Sequence, residues 1–519
     1  MRVVEDKQKI LLNLRNPERV LAAVPDAEIV RRTDTTIVAC PHSLQAVSTL
    51  RTLGFDAPAP ILHQYDWPGR FKPYEHQRQT AAFATLHHKC IILNQIGTGK
   101  SLSALWAADY LMNIGAIKKV LILSPLSTLE RVWKDSVFLD ISHRDAVVLH
   151  GSAARRHKLL EQDVDFYIIN HDGFRVIADA AHGMFDLVII DEAAVLRNAR
   201  TNRYKAFNTW YRSQSREPSL WLMTGTPTPN EPTDAWSLAR LLDNPLAPKT
   251  YSSFRDRVMV RKSMYSWGPR PEAPEIVSRI LQPSIIYKRE DCFDLPDTVV
   301  NNITVDLTAE QAKHFKTMVS TMLVEVDSGQ TITAVNEAVK LQKLVQILCG
   351  VAYNDDGENV EIDCKPRVDA VCEIIEQAGG KAIVFVPLTG TIKMLERELS
   401  KRWSVGVVNG NVSASKRGDI FGSFQQRKDP HVLLAHPATM AHGLTLTEAS
   451  TVIWYGPITS NEQYVQANGR VERIGKKHVS YVVHITATEL ERKMFRRLDS
   501  KQKLQGILLD LLEQERRTA

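Results

Sequence analysis

The sequence predicts an α/β protein with two lobes built on parallel sheets, a helical insertion and linker between them, and a small α+β domain at the amino terminus. Three observations carry this reading. Short β-branched runs separated by amphipathic stretches form a first series: Cys90-Ile91-Ile92-Leu93, Val120-Leu121-Ile122-Leu123, Tyr167-Ile168-Ile169, Leu187-Val188-Ile189-Ile190 and Leu220-Trp221-Leu222-Met223. A second series follows: Ala382-Ile383-Val384-Phe385-Val386, His431-Val432-Leu433-Leu434, Val452-Ile453-Trp454 and Tyr481-Val482-Val483. Strands covered by helices on both faces are apolar along their whole length, so runs of this kind alternating with helices imply parallel sheets. Between the series, helical periodicity dominates, as in Thr308 to Met322 and Ile332 to Leu348, with a break at Trp267-Gly268-Pro269-Arg270-Pro271. The expected division is an amino-terminal domain over 1–69, a first lobe over 70–232, an insertion and linker over 233–367, and a second lobe with a carboxy-terminal helix over 368–519.

The length of 519 residues suits about three domains at roughly 100–200 residues each. With 44% hydrophobic and 24% charged residues, the chain is neither disordered nor fibrous in composition. A formal net charge of +6 is compatible with a polyanionic partner without naming one. The six cysteines include no C-x-x-C pair, which argues against a zinc site or a disulfide framework and for reduced thiols in a cytosolic setting. The start MRVVEDKQKI lacks the pattern of a signal peptide, and no run of about 18 apolar residues predicts a membrane span.

Two stretches carry chemistry. Gly97-Thr98-Gly99-Lys100-Ser101 follows the run Ile91-Ile92-Leu93 and precedes a helical stretch from Leu102 to Tyr110. A glycine-rich loop between a strand and a helix amino terminus surrounds a phosphate with backbone N–H groups; Lys100 reaches the phosphate oxygens and Ser101 ligates magnesium. In the G-x-x-x-x-G-K-S spacing the first glycine is replaced by Asn94. Downstream, Asp191-Glu192 ends an apolar strand, where α/β sheets bind ligands. Asp191 is expected to hold magnesium through water, and Glu192 to orient the water that attacks the γ-phosphate of ATP. A solvated acidic strand end is the plain alternative.

From Phe71 onward the chain resembles the Swi/Snf-like branch of the superfamily-two helicases. Asp191-Glu192-Ala193-Ala194-Val195-Leu196-Arg197-Asn198 is similar to the family's D-E-A-H-x-x-K-N segment, and Leu222-Met223-Thr224-Gly225-Thr226-Pro227-Thr228-Pro229-Asn230 to its L-T-G-T-P-x-x-N segment. Phe71-Lys72-Pro73-Tyr74-Glu75-His76-Gln77 resembles the segment whose glutamine reads adenine, which assigns Gln77. Leu123-Ser124-Pro125 followed by Trp133, and Ile168-Ile169-Asn170-His171, resemble first-lobe loops that contact nucleic acid. Ala441-His442-Gly443-Leu444-Thr445-Leu446-Thr447 resembles G-L-N-L-T, and Gln466-Ala467-Asn468-Gly469-Arg470-Val471-Glu472-Arg473-Ile474-Gly475 resembles Q-A-x-x-R-x-x-R-I-G. Leu307-Thr308-Ala309-Glu310-Gln311 resembles the linker's L-T-x-x-Q element.

The resemblance implies two RecA-like lobes and ATP with magnesium as cofactors. It makes Arg470 and Arg473 arginine fingers, their planar charge suited to a phosphoryl transition state. It places Gly443 with Gln77, Gly97, Thr98, Gly99, Lys100 and Ser101 at the nucleotide, and Ser124, Pro125, Asn170, Thr224, Thr445 and Gln466 at the nucleic acid. Ala194 stands where the family has histidine, Thr445 where it has asparagine and Lys476 where glutamine is common. That histidine normally links the nucleotide site to neighbouring motifs, so Ala194 bears on how hydrolysis is coupled to movement.

The amino-terminal segment resembles the small DNA-binding module of HARP-like annealing helicases and related phage proteins. On this reading Arg31-Arg32 and Arg51 contact the backbone while Tyr65 and Trp67 stack on bases; a packing domain explains them equally well. The resemblance implies a DNA-dependent ATPase translocating on or remodelling double-stranded or branched DNA in a bacterial or phage-infected cytoplasm. A strand-separating DNA or RNA helicase and a nucleotide-switched clamp without catalysis are the alternatives.

Overall fold

The computed structural model describes residues 1–95, 97–225, 227–228, 231–261, 267–292, 298–327, 334–353, 359–440, 446–471 and 480–499. The chain divides into two compact units, Met1–Cys292 and Phe293–Ala519.

The first unit opens with an antiparallel sheet of order β1-β2-β4-β3, formed by β1 (Arg2–Val4), β2 (Lys9–Leu14), β3 (Glu28–Arg32) and β4 (Thr36–Pro41). Ile10 and Leu12 on β2 and Val38 and Cys40 on β4 are buried with Val47 and Leu50 of the helix Leu44–Thr52, whose start is capped by the Ser43 hydroxyl accepting from the Ala46 N–H. One face of the sheet therefore carries the small domain's core.

This domain is clamped to the parallel-sheet part of its unit. In the proline-containing stretch that follows, Ala57 and Ala59 are fully buried. The Tyr65 hydroxyl donates to Asp109 Oδ2 at 2.6 Å, and Trp67 lies edge-on to both Tyr65 and Trp106. Arg70 makes a two-pronged contact with the buried Asp140 carboxylate at 3.0 and 2.9 Å. For Tyr65 and Trp67, both half-buried, these contacts with the helix Lys100–Asn113 favour the packing role over stacking on bases.

The remainder of the first unit is built on β5 (Lys89–Ile92), β6 (Val120–Ser124), β7 (Ala146–Val148), β8 (Phe166–Asn170), β9 (Leu187–Asp191) and β10 (Ser219–Met223), with a small hairpin of β11 (Met259–Arg261) and β12 (Trp267–Pro269), then β13 (Ser284–Ile285). The seven-stranded sheet has the order β13-β5-β10-β9-β6-β8-β7 and every pairing in it is parallel. Alternate residues of each strand enter different cores: Ile91, Val188, Ile190, Leu220 and Leu222 one, and Cys90, Ile92, Leu187, Ile189, Trp221 and Met223 the other. Two covered faces are why these strands read as unbroken apolar runs.

The second unit has β14 (Thr298–Thr304), a hairpin of β15 (Val351–Tyr353) and β16 (Asn359–Glu361), then β17 (Lys381–Phe385), β18 (Val405–Val408), β19 (Val432–Ala435), β20 (Ala449–Trp454) and β21 (Ser480–Thr486). Its parallel sheet has the order β14-β21-β20-β17-β19-β18. Here too Ala382 and Val384 face one core while Ile383 and Phe385 face the other. Helices Ala309–Asp327 and Ala334–Leu348 precede this sheet's central strands. Gln311 ties them together: its amide donates to the carbonyls of Ile347 and Leu348 at 3.1 and 3.0 Å, and its Oε1 accepts from the Thr308 N–H. The segment between the two strand series thus contains helices and also supplies one strand to each sheet, β13 to the first and β14 to the second. Among the described residues no helix is long and apolar enough to cross a membrane.

Candidate nucleotide site

The phosphate loop leaves β5 and enters the helix Lys100–Asn113 at its amino terminus. Gly97 (φ +90°) and Gly99 (φ +79°) are both left-handed. A Cβ on Gly99 would stand 2.0 Å from Gln77 Nε2, so conformation and space both require glycine there. Lys100 Nζ lies over the loop, donating to the carbonyls of Asn94 at 2.8 Å and Gln95 at 3.2 Å. Ser101 occupies the first helical turn, and the Thr98 hydroxyl closes the loop onto the Gln95 carbonyl at 2.8 Å. Helix N–H groups at such an end favour an anion.

Asn94, the departure from the glycine pattern, has a defined role. Its side chain is buried, donates from Nδ2 to Thr80 Oγ1 at 2.8 Å and accepts at Oδ1 from the Tyr287 N–H at 3.0 Å. It pins the loop's start to the helix Glu75–Thr85 on one side and to the chain leaving β13 on the other. Gln77 sits on that same helix. Its Oε1 accepts the Tyr74 N–H at 2.9 Å while Nε2 lies 3.4 Å from the Thr98 carbonyl. His76 donates from Nε2 to the same carbonyl at 2.9 Å, and burial lowers its pKa, which keeps it neutral.

Across the sheet, β9 ends in Asp191, which is buried. Its Oδ2 accepts from the Trp133 indole N–H at 3.1 Å and from the Ser124 hydroxyl at 3.3 Å, while Oδ1 accepts the Glu192 N–H at 3.0 Å. A carboxylate has roughly four acceptor positions, so one remains on Oδ1 for a further donor such as a metal-bound water. Glu192 is a non-glycine residue at φ +50°, a conformation that costs energy and concentrates at functional sites. Only β10 separates β5 from β9. Because all three are parallel, the phosphate loop and Asp191-Glu192 share one edge, roughly 10 Å apart by strand spacing.

Among the described residues no group of three or more His, Cys, Asp or Glu is preassembled for a metal. Magnesium usually takes one or two protein oxygens and completes its shell with water and phosphate. Ser101 and Asp191 are the donors of that kind.

Of the residues assigned to nucleic acid, Ser124, Pro125, Asn170 and Thr224 stand at this same edge of the first unit's sheet. Ser124 and Thr224 are fully buried; Thr224 donates its N–H to the Ile92 carbonyl at 3.0 Å. Asn170 Oδ1 accepts from Arg156 at 3.3 Å. In the second unit, Gln466 lies on the helix Asn461–Asn468 and donates to Glu462 at 3.3 Å. Arg470 is buried; Nε donates to the Met440 carbonyl at 2.9 Å and its own carbonyl accepts the Leu446 N–H. It braces both flanks of 441–445. Gly443, Thr445 and Arg473 lie outside the described residues.

Three residues gained roles that motif spacing did not supply. Tyr287 meets Asn94 from 193 positions away, a distance no local pattern spans. His171 donates from Nε2 to the Asp191 carbonyl at 2.8 Å, with burial lowering its pKa. Trp133 was visible as an aromatic after Ser124-Pro125, but its hydrogen bond to Asp191 was not.

Residues 31–349 match the sequence family described as the SNF2-related domain, and residues 366–475 match the helicase conserved C-terminal domain. The chain belongs to the SNF2-related family. It is accordingly an ATP-hydrolysing enzyme of the helicase-like class. Among SNF2-related and neighbouring proteins, it is 25% identical over 449 residues to protein p41 of Acyrthosiphon pisum secondary endosymbiont phage 1, a match spanning 81% of this chain and 94% of that protein. It is 22% identical over 460 residues to the ATP-dependent DNA helicase DDM1 of Arabidopsis thaliana, covering 81% of this chain and 59% of that protein. The helicase domain of Pyrococcus furiosus Hef shares the fold, with a TM-score of 0.50 at 17% identity over 82% of this chain and 98% of that one.

Proposed function

We propose that this SNF2-related protein is a DNA-dependent ATPase that couples hydrolysis to translocation on, or remodelling of, double-stranded or branched DNA. The observation that carries the reading is the placement of the phosphate loop and Asp191-Glu192 on one edge of one parallel sheet. Lys100 turns from the loop carbonyls to the β- and γ-phosphates, helped by the N–H groups of Gly97 to Ser101. Gln77 reads the adenine edge. Ser101 and the remaining acceptor of Asp191 hold magnesium, which supplies charge neutralisation on the phosphate oxygens. Glu192 orients the attacking water. Arg470 and Arg473, with Gly443, are the further residues assigned to the nucleotide, the two arginines to the charge that develops on the transferred phosphoryl group.

DNA is the favoured partner because the net charge of +6 suits a polyanion and DDM1, similar over 81% of this chain, is named a DNA helicase. Such binding is chiefly to phosphate, hence salt-sensitive and weakly sequence-specific. Since Ser124 and Thr224 are buried, their loops meet a strand through backbone N–H groups and flanking residues. Residues 1–69 act with the first lobe as one body at the DNA. The phage relative supports a bacterial or phage-infected cytoplasm as the setting.

The test is phosphate release from ATP and magnesium with no nucleic acid, duplex DNA, branched DNA and RNA. Strong stimulation by duplex or branched DNA is expected. A rate indifferent to every nucleic acid overturns the motor, and stimulation by RNA alone overturns the choice of DNA.

A further inference from the structure

The loops after β6 and β8 both end on Asp191. From β6, the Ser124 hydroxyl donates to Oδ2 at 3.3 Å and accepts from the Thr128 hydroxyl, which also lies 2.8 Å from the Pro125 carbonyl. The chain then winds into a π-helix, Leu129–Lys134, an uncommon form that favours functional sites. Trp133 on that turn is fully buried and places its indole N–H 3.1 Å from the same oxygen. Indole N–H is a donor only, so this bond has one direction and no substitute partner within Trp133. From β8, His171 holds the Asp191 backbone carbonyl. Ala194, where the resemblance expects an imidazole, is buried and offers no side-chain hydrogen bond.

We propose that Trp133 is a positioning residue that couples the Ser124–Thr128 loop to the catalytic carboxylate, doing in this chain what Ala194 cannot. The inference rests on the functional reading above, in which that loop meets DNA and Asp191 serves the nucleotide's magnesium. A strand pressing on the loop moves Ser124 and the π-helix as one piece. Both terminate on Oδ2, so the rotation of the carboxylate, and with it the direction of the acceptor left on Oδ1, follows the loop. Trp133 is too buried to stack on a base, and its action on the reaction runs through Asp191 alone.

The experiment compares the full-length parent with Trp133→Phe, which removes the donor and keeps an aromatic ring. Folding is checked by circular dichroism and thermal melting. Three quantities are read: ATP turnover at saturating duplex DNA, the magnesium concentration for half-maximal turnover, and the factor by which a fluorescent non-hydrolysable ATP analogue with magnesium changes affinity for a labelled duplex. Turnover is expected to fall about tenfold or more, the size of one hydrogen bond to a charged group, with a higher magnesium requirement. The coupling factor, shared reciprocally by the two ligands, should fall toward one while each ligand's separate affinity stays within about twofold. If Trp133→Phe does not fold, replacing Trp133 with benzothienylalanine, in which sulfur stands for the indole N–H, carries the same test with the ring shape preserved. A folded variant with parental coupling and magnesium dependence overturns the proposal, as does uniform loss of both affinities with coupling unchanged. A parent whose ATPase ignores DNA fails earlier and removes the functional reading itself.

Discussion

Restoring the missing glycine of the phosphate loop should harm this protein. Asn94→Gly brings the loop into line with G-x-x-x-x-G-K-S, yet Asn94 is absent from the left-handed positions, so glycine's conformational freedom is not needed there. The substitution removes a hydrogen bond to Thr80 and another from the Tyr287 N–H. At about 0.5–1.5 kcal/mol for each net hydrogen bond, that is roughly 1–3 kcal/mol. Glycine adds a backbone entropy cost of about 0.5–1 kcal/mol, for a total of roughly 2–4 kcal/mol. Thr80 keeps its own bond to the His76 carbonyl, and the N–H of the half-buried Tyr287 turns to water, so the sum carries no further penalty. For a unit of this size each kcal/mol shifts Tm by about 2–4 °C, so the first unit should melt roughly 4–16 °C lower. Because Lys100 rests on the Asn94 carbonyl, nucleotide affinity should weaken as well. Thermal unfolding beside fluorescent-nucleotide titration measures both effects. An unchanged or raised Tm would refute the assignment of Asn94 as a structural pin.

Lys100→Ala and Glu192→Gln should each abolish turnover, but only the second should retain ATP binding, because it keeps the site's shape and loses just the carboxylate; robust hydrolysis by Glu192→Gln would remove that residue from its role. Arg473→Ala should leave ATP and DNA binding largely intact and lower kcat on the order of 10³–10⁵, with little recovery in Arg473→Lys. Arg470→Ala should also destabilise the second unit by about 1.5–3 kcal/mol through loss of its buried charged hydrogen bond to Met440, seen as an earlier denaturation midpoint. His484, buried between Tyr464 and Asn302, has its pKa lowered by burial to about 4. The folded state therefore resists a proton that the unfolded chain accepts below its ordinary 6.5, so stability is full above pH 6.5 and falls by about 3 kcal/mol on acidification to pH 4. His484→Gln should flatten that part of the denaturation profile, and an unchanged slope would dismiss the histidine as its source.

The local signals in this chain were those whose physical cause lies within one element or one turn. A strand covered on both faces must be apolar throughout, so Leu187-Val188-Ile189-Ile190 announced a parallel sheet before any partner was known. A left-handed turn beside a phosphate demands glycine, so Gly97 and Gly99 marked the loop. An acidic pair after an apolar strand likewise marked the edge proposed as catalytic. What pairing decided was invisible locally. Two-residue β13 borrows its identity from β5, and β14, with Val299 and Val300 partly exposed, reads as a strand only beside β21.

Side-chain partners far apart in sequence were decided by the tertiary structure in the same way. Tyr65 looked available for stacking until its hydroxyl met Asp109, 44 residues on. Asn94 looked like a defect in a motif until Thr80 and Tyr287 closed around it. Trp133 carries nothing in its neighbours that points to Asp191, 58 residues away. The sequence alone determined which chemistry this protein carries, because phosphate-binding turns and apolar strands are dictated by short-range sterics and burial. The tertiary structure alone decided which side chains hold that chemistry in place, because a hydrogen bond depends on the distance between donor and acceptor and not on their separation along the chain.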